Sequence, residues 1–422
     1  MLDKVAFNRG ILLIFLVINS GCFFLSDDKK SGLPFLREIF LIIVIAYSIY
    51  ILIVWKKAYS YKTSLWILVM ATVLPGFSAL FAKLNFGQPF LYGLLEERRF
   101  FMYLIFFPMF YLLKKACVSE DQVSRMFLAS GIICAVIGFL YYFHVIPENT
   151  SVAFHIDESG GIDELRPNRF RIGENYITIC VFMLMYRLRK SISLPDLSVL
   201  LFFAAYLWFV TQTRQVMLIW ALAGLWIFMG NPAALIKIVA LVLAPIALIG
   251  IMTPSLTEDI LGRFNELFFA AANEPSVRDN TILTIINAIY NNNYIGMGAL
   301  SLQWGGGFST IYGENFYLAD VGIFGVYYRY GFFAIFVLLF FYVGFSKTLF
   351  KCRQKGPLLK ALQLVFLTMC LNFALSNALT FAGETLGMAA ALFLYFSYFN
   401  SATNHTYEPR RIGFDKFQHC HY

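Results

Sequence analysis

NNNYIGMG (residues 291–298), the glycine triplet at 305–307 and GENFYLADVGIFG (residues 313–325) lie at the end of a polar segment, 253–315, caught between two long apolar runs. A polar stretch of about 60 residues is uncommon in a compact chain unless it is functional or disordered. Phe, Trp, Tyr and Ile occur throughout it, which argues for order. Within it ILTIINAIY (282–290) repeats its apolar residues at helical spacing. The segment is expected to fold as an extramembrane cap that carries the chemistry, with the rest of the chain holding it at a membrane.

Working outward, the chain is 59% hydrophobic, against roughly 45–50% for soluble proteins. Only 14% of residues are charged. Apolar runs of about 16–25 residues recur along the whole length, the pattern of membrane-spanning helices. The expected fold is all-α: a polytopic integral membrane protein of about 12 transmembrane helices with a large periplasmic or extracellular loop. The runs fall at 10–25, 38–55, 63–82, 100–113, 126–146, 172–186, 197–211, 215–230, 234–252, 316–346, 361–380 and 385–401. The first run follows Lys4 and Arg9 but lacks a small-residue cleavage site, so it reads as a retained helix. Seven scattered cysteines, without a CxxC pair or a Cys/His cluster, point to neither a disulfide framework nor a metal site.

Basic residues set the orientation. With the N-terminus inside, Lys56/Lys57/Lys62, Lys114/Lys115/Arg125, Arg187/Arg189/Lys190, Lys347/Lys351/Arg353/Lys355/Lys360 and Arg410/Arg411/Lys416 all fall on the inner side. The net charge of +8 therefore reports membrane topology and not nucleic-acid binding. Both termini are expected inside a plasma membrane, and the two longest loops, 147–171 and 253–315, on the same outer face. The organisation reads as residues 1–252, nine helices with the outer loop 147–171; 253–315, the outer catalytic loop; 316–401, three helices; and 402–422, an inner tail. Lys83–Arg99 lies outside and ends in EERR (96–99), read either as an interfacial helix or as a solvated, self-paired charge cluster.

Arginines gather on that outer face, where basic residues are disfavoured. RPNRFR (166–171) supplies Arg166, Arg169 and Arg171; TQTR (211–214) places Arg214 at the head of an apolar helix; the large loop adds Arg263 and Arg278. Guanidinium holds phosphate in a bidentate fit and keeps its charge, so such a set suits a lipid-linked pyrophosphate. Pairing with Asp163, Glu164 or Glu174 is the alternative. Glu314 and Asp320 flank the start of a span, and Glu314 is the better general base because it faces the loop. Arg329 lies within a span, where a charge costs about 2.5–3.5 kcal/mol and so needs a partner or a cavity. Asp320 lies nine residues earlier, over ~13 Å along the helix, so a direct pair with it is not obvious, and Glu384 is an alternative partner. Phe316, Tyr317, Tyr327, Tyr328 and Tyr330, with Trp304, form either an interfacial belt or a stacking surface for sugars.

Three phrases carry a resemblance: Arg278 with the Tyr294–Gly298 turn, Glu314-Asn315-Phe316-Tyr317-Leu318 leading to Gly322-Ile323-Phe324-Gly325, and TRQVML (213–218). Together they resemble the O-antigen polymerase (Wzy) and O-antigen ligase (WaaL) superfamily over roughly residues 160–400. Ligases of that superfamily carry a His where this chain has Glu314, which favours the polymerase. The resemblance implies a GT-C-like fold in the bacterial inner membrane. It implies a glycosyltransferase of polysaccharide or lipopolysaccharide biosynthesis. The donor is an undecaprenyl-type polyprenyl-pyrophosphate-linked oligosaccharide; neither metal nor cofactor takes part, and a chain-length regulator usually works beside such enzymes. It further implies catalytic roles for Arg278 and Arg214 on the pyrophosphate and for Glu314 as base, with Asn315 and Tyr317 orienting the sugar. Arg166, Arg169, Arg171, Arg263 and Arg329 complete the expected substrate-binding set. A lipid-linked sugar transporter is the rival of another class.

Overall fold

A computed structural model describes residues 2–26, 30–55, 61–149, 169–238, 277–313, 316–352, 355–373 and 382–403. Its named elements are all helical, and pairing between extended segments is limited to isolated bridges. In chain order they are α1 (Leu2–Asn19), α2 (Leu36–Val54), α3 (Lys62–Phe86), α4 (Phe90–Glu96), a 3-10 segment (Glu97–Ile105) continuing into α5 (Phe106–Ala116), and α6 (Glu120–Tyr142). Further along come α7 (Glu174–Lys190), α8 (Leu194–Tyr206) with a π turn at Leu207–Thr211, and α9 (Arg214–Phe228). The cap contributes α10 (Val277–Asn291) and α11 (Phe308–Tyr312). The chain then continues through α12 (Ile323–Tyr330), α13 (Ala334–Leu339) with a π turn at Phe340–Phe345, α14 (Ser346–Phe350), α15 (Pro357–Asn372) and α16 (Gly383–Thr403).

Four of these helices are long and apolar enough to cross a membrane: Leu36–Val54, Lys62–Phe86, Glu120–Tyr142 and Leu194–Thr211. On α2, Ile39, Ile42, Ile43, Ile49 and Ile53 are each more than half exposed, while Phe40, Val44 and Ile51 are buried. A helix apolar on both its packed and its open faces fits a lipid environment. The other expected runs contain helix where described, though the first ends at Asn19 and the fifth at Tyr142; most of 234–252 and residues 374–380 lie outside the described residues.

Local chemistry explains several boundaries. Ser119 and Gln122 form a reciprocal capping box that starts α6. Ser193 accepts from the Asp196 N–H, with Pro195 in the first turn of α8. The expected uninterrupted span 316–346 is corrected by the structure. It opens with a short 3-10 turn, breaks at Gly331 between α12 and α13, and carries the π turn further on. The apolar pattern runs through the break, so composition alone hides it. Cys22, Cys134, Cys180, Cys352 and Cys370 carry free thiols, while Cys117 is disulfide-bonded, which corrects the expectation of no disulfide. Among the described residues no metal-ligand cluster occurs.

The helix ends sort into two groups. One end brings together the end of α1 and the starts of α7 and α16, through Asn19 Nδ2 donating to Tyr176 Oη (2.6 Å) and to the Glu384 carbonyl (3.4 Å). The opposite end joins α1 to α5 through Arg9 and the Ala116 carbonyl (3.2 Å), and α6 to α15 through Glu120.

Candidate functional site

The cap is anchored by backbone. Residues 294–299 lie antiparallel to the α12–α13 break: Met297 N–H donates to the Tyr328 carbonyl (2.8 Å), Gly298 N–H to that of Arg329 (3.2 Å), and Phe332 N–H to that of Tyr294 (2.9 Å). The end of α3 grips the same strap from the other side. Asn85 Nδ2 donates to the Gly296 carbonyl (2.9 Å), and Gln88 bonds both the Ala299 carbonyl (3.2 Å) and the Ser301 N–H (2.8 Å). The glycines of the GMG phrase follow from this double contact. A Cβ at Gly298 (φ +80°) would meet the backbone of Ser78 and Ala82, and one at Gly296 the Arg329 carbonyl.

Beneath the strap lies a buried ion pair. Arg329 Nε stands 3.2 Å from Glu97 Oε1, with the two side chains 6% and 1% exposed. Ser78 Oγ donates to the same Glu97 oxygen (2.7 Å) and accepts from the Ala299 N–H (3.2 Å). One chain of polar contacts thus links the pair, α3 and the strap. Arg329, expected to need a partner, has one in Glu97, an acid other than the expected Asp320 and Glu384. The self-paired, solvated reading of EERR is corrected with it: Glu97 turns inward to a distant arginine, and Arg98 reaches Glu38 at the surface (3.9 Å).

Above the strap, α10 lays Ile285 and Ile289 on Phe316, Leu318, Val321 and Tyr328. The helical stripe read in ILTIINAIY is the face that docks. Phe316, Tyr328 and Tyr330 are all under 10% exposed, and Tyr328 Oη donates to Tyr312 Oη (3.0 Å). Phe316 and Tyr328 belong to a small core under α10 and Tyr330 to the main core, so none of the three offers a stacking surface; Tyr317 alone of this group is more than half exposed.

The arginine cluster assembles around the π turn that ends α8. Phe170 N–H donates to the Val210 carbonyl (2.9 Å), drawing residues 169–172 against the turn. Arg169 then donates to the Thr211 carbonyl (3.0 Å) and Thr213 Oγ1 (3.2 Å), and Thr213 donates to Glu174 Oε2 (3.4 Å). Both Arg171 and Arg169 act electrostatically on Glu174. The local acid Glu174 is thus linked to Arg169 through the Thr213 hydroxyl. Arg214 is the first residue of α9, two residues beyond the left-handed Gln212. Arg278, exposed, is the second residue of α10. Helix starts present free backbone N–H groups and positive potential, so a cation there opposes the dipole and an anion is what suits both. Arg169, Arg171 and Arg214 come together; Arg329 is committed elsewhere. Arg166, Arg263, Glu314 and Asn315 lie outside the described residues.

Glu97, Ser78 and the amides of Asn85 and Gln88 escape sequence reasoning because their partners are far away in the chain. Glu174 carried a signal, its spacing of three from Arg171. No protein-family model, curated protein or solved structure matches this chain.

Proposed function

We propose that the chain is a polysaccharide polymerase of the O-antigen type, joining polyprenyl-pyrophosphate-linked oligosaccharide repeat units on the outer face of a bacterial plasma membrane. The observation that carries the reading is that Arg214 and Arg278 each open a helix, with Arg169 and Arg171 beside the first. Guanidinium groups added to helix N-termini form a receptor for a di-anionic phosphate leaving group. Twelve spans with both termini inside complete the proposal.

In the proposed reaction Glu314 takes the proton of an acceptor hydroxyl. The acceptor oxygen forms a bond to the anomeric carbon from the face opposite the carrier. The bond from that carbon to the pyrophosphate oxygen breaks, and its electron pair leaves with the pyrophosphate. Arg278 and Arg214 stabilise that developing charge, an electrostatic contribution. Asn315 and Tyr317 orient the sugar.

A surface-glycan gel from the native host, with and without the gene, tests the reading. A ladder that collapses to the core plus a single repeat supports polymerisation. Loss of all glycan from the lipid core, with polymer held on the carrier, replaces it with ligation. An unchanged ladder removes glycan transfer and leaves transport of a lipid-linked sugar.

A further inference from the structure

At the end of the molecule opposite the strap, the last turn of α7, the residues just after α9 and the first turn of α15 line an open cavity of about 480 Å³. Arg189, Lys190, Lys355 and Lys360 line it, together with Tyr186 and Asn231. Among the described residues no carboxylate lines it. Among the described residues none of these four cations forms an ion pair. Two acids of the same helix packing are already engaged: Asp196 lies 3.7 Å from Arg187, and Glu120 accepts from the N–H groups of Gly356 (2.9 Å) and Leu359 (3.2 Å), capping α15.

The cations are held in place. Asn231 Nδ2 donates to the Arg189 carbonyl (3.0 Å). Gly230 leaves the space that the Arg189 guanidinium fills, since a Cβ at that glycine would collide with it. Lys360 Nζ lies 6.0 Å from the centre of the Tyr186 ring. The volume is that of a small-molecule site, and its charge calls for a multivalent anion. From the cavity mouth at Gly230, α9 presents a strip of open apolar side chains, Leu222, Leu225, Trp226 and Met229, each more than half exposed. A charged pocket continuous with an apolar strip matches an anionic head joined to hydrocarbon tails.

We propose that this cavity binds the phosphate head of an acidic phospholipid, with its acyl chains lying along α9. The full-length protein, purified in detergent, is equilibrated with phosphatidylglycerol or phosphatidylcholine and weighed by native mass spectrometry. Phosphatidylglycerol retention is expected to exceed that of phosphatidylcholine at least tenfold. It is expected to fall at least fivefold in the Lys355→Gln/Lys360→Gln double variant and in Arg189→Gln. Gly230→Ala keeps every charge but displaces the guanidinium, and is expected to lower retention as well. Lys114→Gln/Lys115→Gln removes the same charge elsewhere and is expected to change nothing. Equal retention of the two lipids, or retention unaltered by the pocket variants, overturns the proposal. Displacement of phosphatidylglycerol by millimolar inorganic phosphate also overturns it, moving the site to a soluble anion.

Discussion

Removing one member of the Glu97–Arg329 pair is expected to destabilise the protein more than removing both. The pair is separated by 3.2 Å and is 1% and 6% exposed, so neither charge is replaced by water when its partner is lost. Glu97→Gln leaves a guanidinium in low dielectric beside a Ser78 hydroxyl that now faces an amide. Breaking a buried pair in this way costs about 3–5 kcal/mol, whereas replacing both charges by neutral groups of similar volume is often neutral. The expected cycle is therefore about 3–5 kcal/mol for Glu97→Gln, a similar loss for Arg329→Met, and a smaller loss for the double variant than for either single one. Equilibrium unfolding in mixed micelles, with SDS as the denaturant, measures all four corners. Costs that add to within about 0.5 kcal/mol would refute the reasoning, since uncoupled sites add.

Gly298→Ala is expected to cost at least about 2 kcal/mol, combining left-handed backbone strain with collision against the α3 backbone, and to open residues 294–301 to protease; an uncut strap counts against the docking geometry. Burial raises the Glu96 carboxyl above its ordinary range, with the Glu97 charge adding to the shift. A raised carboxyl contributes stability that is fully present below its unfolded pKa and lost as pH rises through its folded one. Glu96→Gln should flatten that acid-side decline in a melting-temperature profile, and an unchanged profile contradicts it. Arg278→Ala should abolish polymer while changing stability by no more than about 0.5 kcal/mol, as expected at an exposed position. Arg278→Lys should restore only part of the product, because the bidentate fit is gone; full restoration would reduce the residue to a point charge. Glu314→Gln should express normally and make no polymer; polymer of normal length in that variant removes the base assignment.

Helices were legible in the sequence because apolar runs and the 3.6-residue period act locally. The docking face of α10 came from Ile285 and Ile289 alone, and Arg214 and Arg278 at helix starts came from short phrases. Burial of the aromatic group was not legible. Tyr317 and Tyr328 have the same composition-level signal, yet one is open and the other enclosed, because the path of the chain after Gly313 decides which ring faces α10. The partner of Arg329 was hidden for a similar reason. EERR looks like a surface cluster until α3 and the 3-10 segment pack and turn Glu97 inward. The break at Gly331 left only a glycine in an apolar run as its trace.

The strap also sets a timetable. Asn85 and Gln88 each meet carbonyls 211 residues later in the chain. At about 5–20 residues per second of synthesis, α3 waits roughly 10–40 s before the residues that occupy its C-terminal end exist. Glu97 waits longer still for Arg329. Among the described residues Ser78 is the bonding partner of that carboxylate made before it, 19 residues earlier. The hydroxyl that later receives the Ala299 N–H can hold the carboxyl group through this interval, giving the nascent helical hairpin a temporary partner until the permanent one is synthesised.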